Sequence, residues 1–428
     1  MSMQETTVKQ SMTLVERFPW LESLREDYHT LFVEPWSPYI GAMLLVFISM
    51  ALMMSGMFWG VFGGLKLWGD YLNSFLGLGP ALGISGDLDN VFMHRISLMN
   101  ITLLLGAFSA ALLARQFQIR RPPLLEYVWG AVGGALMGIG ATLAGGCTTG
   151  GFFTPLLFSS IAGWAMWLGL LLGAFLGLKL LLWSMEHISW GMTAPPTSAG
   201  ESKLKPYYPA IGVAIVVMIL LWAINWYLAG DTKLASRAII VLAGFALGFV
   251  LHRSRFCLSR VIREPFMTGE TAMTKAMILA LAIGIPLGSL LLQKKMVDPY
   301  LAIPASFWLG SMLGGLIFGI GMVFAGGCAS GSLWRVGEGH LKLVVAAFSF
   351  AWVGSIFSGL MKRWGVTAAE FDIDFLDGVP EITALGFQAY LPDLLQGWGL
   401  VYLISFIVLL VWYLLIQYNE KTERFIVF

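Results

Sequence analysis

Residues 133–153 read GGALMGIGATLAGGCTTGGFF, and residues 314–334 read GGLIFGIGMVFAGGCASGSLW. The second stretch follows the first at a constant offset of 181 residues, and seven glycines coincide: 133, 134, 138, 140, 145, 146 and 150 fall on 314, 315, 319, 321, 326, 327 and 331. Cys147 falls on Cys328. Duplication of a whole phrase implies two related halves, and matched thiols imply a site or pore between them.

The surrounding composition sets the solvent. Of 428 residues, 57% are hydrophobic and 12% charged, and the mean hydropathy is +0.77. Soluble domains carry roughly 25% charged residues, so the chain is read as a polytopic membrane protein whose partner is the lipid bilayer. A net charge of +1 gives no concentrated basic face for phosphates, which argues against nucleic acid as a partner. Apolar runs near 38–64, 95–118, 156–185, 207–229, 238–251, 272–292, 340–361 and 397–417 mostly suit membrane helices. Segments 124–145 and 303–327 are apolar too, but end in Gly-Gly-Cys followed by small residues. Those endings predict helix breaks at Gly145-Gly146 and Gly326-Gly327, with Gly150 and Gly331 just beyond. Non-helical backbone is tolerated at membrane depth where protein or water surrounds it.

The expected organisation has five parts. Residues 1–37 lack an apolar run long enough for a signal peptide and read as an amphipathic or interfacial segment. A first membrane repeat covers 38–185, a polar linker 186–206, a second repeat 207–418 and a tail 419–428. An acidic insertion around 362–396 reads as a structured loop. At a shifted offset of 188, Gly56 to Gly60 match Gly244 to Gly248, which sets Gly69 opposite Cys257. Basic clusters at Arg115, Arg120 and Arg121, at Lys203 and Lys205, and from Arg253 to Arg263 leave the orientation open, since basic residues that line a re-entrant funnel are no guide to it.

Three cysteines occur: Cys147, Cys257 and Cys328. None forms a CxxC pair and no histidine stands at zinc-ligand spacing, so neither a metal nor a cofactor is expected. A helix ending at Gly-Gly-Cys can turn free N–H groups and partial positive charge toward an anion. The thiol beside them is a polarisable, weak donor suited to a sulfur-bearing anion. The plainer reading, close-packing glycines around an inert cysteine, accounts for Gly134/Gly138 and Gly315/Gly319 but not for duplication of the whole phrase. The stretch RSRFCLSRVIRE (253–264) sets Arg253, Arg255 and Arg263 around a third thiol, where they could attract an anion; an ordinary basic loop is the alternative. Arg335 and Glu338, with His340 close by, are expected to form an ion pair that fixes the loop after the second Gly-Gly-Cys. No nucleotide-binding signature and no Ser-His-Asp arrangement is present.

AGGC at 144–147 and 325–328, RFC at 255–257 followed by Arg263-Glu264, and GCASGSLWRVGEG at 327–339 resemble the YeeE/YedE family of membrane proteins over about residues 45–415. The pattern is most similar to the longer YedE branch. The resemblance implies an all-α, inner-membrane helical bundle with two pseudo-symmetric halves and re-entrant or broken helices. It also implies transport of thiosulfate or a related sulfur or selenium anion along Cys147, Cys257 and Cys328, with a TusA-like sulfur carrier as the onward partner. Shorter members place an RFC-like cysteine in the first half, whereas this chain keeps its own in the second. The expected function is therefore transport without enzymatic turnover. The rivals are a membrane thiol enzyme that forms a cysteine persulfide and an accessory subunit with silent cysteines.

Overall fold

A chain this apolar must satisfy its backbone hydrogen bonds within each segment, which in lipid leaves the helix as the local solution for these sequences. The computed structural model describes residues 23, 26–84, 86–188, 204–367 and 382–427. Helices dominate these residues, and the only strands among them are Ile382–Thr383 and Gly386–Phe387. The principal helices are α1 (Pro38–Met54), α2 (Phe62–Phe75), α3 (Arg95–Leu113), α4 (Leu124–Ala144), α5 (Thr154–Leu157) and α6 (Ile161–His187). They continue as α7 (Tyr208–Leu228), α8 (Thr232–Ser254), α9 (Leu258–Met267) and α10 (Ala272–Gln293). The last four are α11 (Leu309–Ala325), α12 (Ala329–Gly337), α13 (Leu341–Arg363) and α14 (Trp398–Thr422). Among the described residues nine spans are long and apolar enough to cross a membrane, and a bent pair, Glu26–Val33 with Pro38–Met54, would make a tenth. Three of the nine are interrupted: Leu124–Leu157, Thr232–Met267 and Leu309–Gly337. The protein is a multi-pass, all-α membrane bundle.

The centre is a crossing of α4 and α11, packed backbone to backbone. A Cβ on Gly133 would lie 2.5 Å from the Gly321 carbonyl, and one on Gly140 would lie 2.6 Å from that of Gly314. Reciprocally, a Cβ on Gly314 would meet the Gly140 carbonyl at 2.5 Å, and one on Gly321 that of Gly133 at 2.7 Å. The two helices therefore run antiparallel, and each glycine faces the counterpart of its neighbour in the other repeat. The flanking helices obey the same relation. Gly173 of α6 presses on α11, where a Cβ would lie 2.1 Å from the Leu316 carbonyl, while Gly134 of α4 presses on α13, 2.2 Å from Ala346. Small residues at such crossings let helices approach closely enough to gain dispersion contacts where lipid supplies no hydrophobic drive.

Burial falls off from this centre. The best 18-residue window is 78% buried in α3 and 67% in α11, against 28% in α14 and 17% in α7. The outer helices turn aliphatic rows outward, such as Leu168, Leu172, Leu176 and Leu180 on α6. On a soluble protein such a surface would demand a partner; here the acyl chains serve.

The two ends of the bundle differ. At one end Arg120 bridges to His340, Trp36 donates to the Arg253 carbonyl at 2.8 Å, and Lys275 pairs with Glu420. At the other, the hairpin at 382–387 and the short helix Leu391–Leu395 close over the starts of α6 and α11 through bridges Ser160–Tyr390 and Phe307–Phe387. This capped end is built from the described part of the expected acidic loop; residues 368–381 lie outside the described residues. Most of the 1–37 segment and the linker core at 189–203 lie outside them as well. α14 continues to Thr422, so the first part of the expected tail is helical. Helices α7 and α14 stand outside the reciprocal packing of the halves.

Replacing Gly173 by alanine is expected to destabilise the protein by about 1–3 kcal/mol, since backbone rather than a flexible side chain blocks the new methyl group. Gly399→Ala, where nothing lies within 4 Å of the added carbon, is the control. Thermal unfolding in detergent should show a lower midpoint for the first variant only.

Candidate functional site

Each central helix ends in a left-handed residue. Gly145 has φ 71° and Gly326 φ 81°, a conformation glycine adopts without steric cost, and the Gly146 N–H returns to the Ala141 carbonyl at 2.9 Å. The next residues are extended and cap new helices: Cys147 precedes the π-helical segment Thr148–Phe153, and Cys328 precedes α12. Cys257 caps α9 in the same manner after Arg255, itself at φ 54°. All three thiols thus sit at helix N-termini, where the free N–H groups cluster.

A fourth break separates α1 from α2, and its cap is Val61. This corrects the pairing of Cys257 with Gly69. Gly331 stands against the Cys257 sulfur, whereas its counterpart Gly150 stands against the Gly60 Cα at 3.5 Å. By this contact the first-half counterpart of Cys257 lies in the Gly60-Val61 stretch that opens α2, which carries no thiol.

Cys147, Cys257 and Cys328 are free thiols with no more than 1% exposure. The Cys257 and Cys328 sulfurs lie 4.0 Å apart. Cys147 contacts the Thr149 hydroxyl at 3.0 Å and Cys328 that of Ser330 at 3.5 Å; these hydroxyls are themselves related by the 181-residue offset. The Gly331 N–H donates to the Cys328 sulfur at 3.4 Å. Cys147 faces the capped end, where Ser306 donates to the Ala144 carbonyl at 2.8 Å. The Cys257–Cys328 pair faces the arginine-rich end, where Arg335 donates to the Gly326 carbonyl at 3.0 Å. Around the breaks, several buried donors have no hydrogen-bond partner among the described residues: Trp59 Nε1, Thr148 Oγ1, Ser259 Oγ, Ser332 Oγ and Trp334 Nε1. Buried polar groups are nearly always paired, so such a concentration marks a place for a water or ligand.

The charged residues separate into two kinds. Arg253 donates to the Glu34 carbonyl and Arg255 to both Glu338 and Gln116, while His252 Nε2 lies 3.0 Å from Glu338. Burial works to raise the Glu338 carboxyl, yet the His252 imidazole and the Arg255 charge hold it down at about 2. Glu338 therefore stays ionised and ties the end of α8 to the end of α12. The expected Arg335–Glu338 pair is replaced, because Arg335 turns back to cap the last carbonyl of the broken helix α11. Arg263 differs: its Nε has no hydrogen-bond partner among the described residues. No cluster of metal-ligating residues occurs among the described residues. Sequence reading passed over Trp59, Val61 and Ser259, which lie outside the duplicated phrases, and over Thr148, Ser332 and Trp334 within them, because a missing hydrogen-bond partner is visible only in the packed structure.

A family model described as sulphur transport matches residues 9–176 and 253–426, both broken-helix halves. The chain belongs to the sulphur-transport family. The probable transporter YedE of Escherichia coli is 26% identical over 340 residues, covering 78% of this chain and 81% of that relative. The protein of the same name in Salmonella typhimurium is 27% identical over 308 residues, covering 70% and 73%. The thiosulfate transporter TsuA of Spirochaeta thermophila is 36% identical over a shorter stretch of 121 residues, 28% of this chain and 33% of that one. As a member of the sulphur-transport family, the protein is a membrane transporter of sulfur compounds rather than an enzyme.

Gly331 and Gly150 differ in the room around them. A Cβ at Gly331 would lie 2.6 Å from the Cys257 sulfur and 3.2 Å from that of Cys328, whereas at Gly150 the nearest atom would be 3.5 Å away. Overpacking costs about 1–3 kcal/mol. Thermal unfolding in detergent should show a lower midpoint for Gly331→Ala and one near wild type for Gly150→Ala.

Proposed function

We propose that this protein imports thiosulfate, or a closely related small sulfur or selenium anion, across the bacterial inner membrane by weak contacts with successive thiols. The observation that carries the reading is the placement of three fully buried cysteines at the caps of helices whose N-termini open at breaks. Helix N-termini favour an anion and thiols favour its soft sulfur atom, so both ends of the recognition problem are met without a fixed counter-charge. A single tight site would trap the ion, whereas neutral donors in series let it move on. The route runs from Cys147 at the capped end to Cys328 and Cys257 at the arginine-rich end. Arg263 supports it as the charge that draws the anion onward, and a TusA-like sulfur carrier is the proposed acceptor at the exit. Thiosulfate transport by the TsuA relatives supports this substrate.

Replacing Cys147 or Cys328 by alanine is expected to abolish uptake while the protein still folds. Growth on thiosulfate as sole sulfur source, in a strain lacking other importers, reads this directly. Unchanged growth would sink the relay. Intact-mass measurement after exposure to thiosulfate should find all three thiols unmodified, since passage by hydrogen bonding leaves no sulfur adduct.

Orientation enters the same proposal. Arg115, Arg120, Arg121, Lys205, Arg335 and Lys342 lie at the arginine-rich end, which by the positive-inside tendency faces the cytoplasm. Lys205 and Lys294 are exposed at opposite ends, and the native thiols are buried. A membrane-impermeant maleimide applied to whole cells should label Lys294→Cys and spare Lys205→Cys; the reverse pattern would invert the orientation.

A further inference from the structure

Several buried hydroxyls in this protein donate to the backbone of their own helix. Thr102 Oγ1 donates to the Leu98 carbonyl at 3.0 Å, Thr142 Oγ1 to that of Gly138 at 3.0 Å and Ser254 Oγ to that of Val250 at 2.7 Å, each four residues back. Thr149 and Ser330, related to one another by the 181-residue offset, do otherwise. Each stands two residues after a buried thiol, in the first turn of the helical segment which that cysteine caps. There the break has turned away the carbonyl four residues back, because Gly145 and Gly326 are left-handed, and the Gly326 carbonyl already accepts from Arg335 at 3.0 Å. The hydroxyl meets the cap sulfur instead. Thr149 Oγ1 lies 3.0 Å from Cys147 Sγ, and Ser330 Oγ lies 3.5 Å from Cys328 Sγ.

Two considerations give these contacts a direction. If the thiol donated to the hydroxyl oxygen, the hydroxyl proton would be buried without an acceptor, and that is the costlier of the two protons to leave unpaired, since a thiol is only a weak donor. The sulfur of Cys328, moreover, is already an acceptor, for the Gly331 N–H donates to it at 3.4 Å. The hydroxyl therefore donates and the sulfur accepts.

We infer that Thr149 and Ser330 are positioning residues that set the polarity of the thiol relay, each hydroxyl occupying a lone pair of its sulfur and leaving the S–H proton to turn toward a passing anion. This rests on the transport reading above and deepens it. A thiol whose proton was spent on the hydroxyl would show the anion only lone pairs, which repel it. Ser259, the residue in the same place after Cys257, has no hydrogen-bond partner among the described residues, so the device belongs to the duplicated pair.

The test compares wild type, Thr149→Val, Thr149→Ser and Ser330→Ala. Initial rates of labelled thiosulfate uptake are measured in proteoliposomes, and the S–H stretching band, to which only three thiols contribute, is recorded by Raman spectroscopy without substrate. Valine keeps the shape of threonine and removes the donor, whereas serine restores the donor without the methyl group. Loss of the orienting bond should raise KM about three- to tenfold in Thr149→Val and Ser330→Ala and shift the band of one thiol. Thr149→Ser should stay close to wild type in both readouts. A wild-type KM or an unshifted band in either folded variant would overturn the inference at that thiol. A serine variant as impaired as the valine would overturn it at Cys147, by making the role one of packing. Wild-type protein that carries no thiosulfate would overturn the transport reading instead, and the band would still decide the direction of the contacts.

Discussion

The contact on which the molecule depends is the backbone-to-backbone crossing of α4 and α11. At Gly133, Gly140, Gly314 and Gly321 a side chain on either helix would strike the other's main chain. No hydrophobic effect pulls helices together in lipid, so close van der Waals approach has to do that work. Because the contact is reciprocal, it also fixes direction. The helices cross antiparallel, and their broken ends open toward opposite ends of the bundle. One break thereby supplies Cys147 at the capped end and the other supplies Cys328 at the arginine-rich end.

From that crossing, backbone donors are released only where a helix breaks. Intact helices consume their own N–H and C=O groups, so a helical wall offers an anion nothing but side chains. Each break releases backbone donors, and the residue that starts the next helix is placed beside them. Cysteine in that place offers a donor too weak to immobilise an ion. Arg253 and Arg335 donate to carbonyls, and Arg255 donates to Glu338.

The two halves are related but not chemically equivalent. The Gly60-Val61 stretch opens the first-half helix where Cys257 opens the second, and Thr148 stands where the second half has Ala329. These positions differ while the glycine scaffold around them stays duplicated.

The sequence by itself determined the solvent, the helices and the duplication. Hydropathy dictates where helices cross lipid, and Gly-Gly before cysteine dictates where two of them end, because both are local properties of the backbone. It also marked all three thiols. Tertiary structure alone decided which of them meet: Cys257 lies beside Cys328, 71 residues away in the chain, rather than beside Cys147. It likewise decided that Arg335 caps a carbonyl while Arg255 and His252 hold Glu338, and that the Gly60-Val61 stretch, not Gly69, stands where the second half has Cys257. Such proximities are set by how closely the glycine faces let separate helices approach, and that is a property of the packed pair.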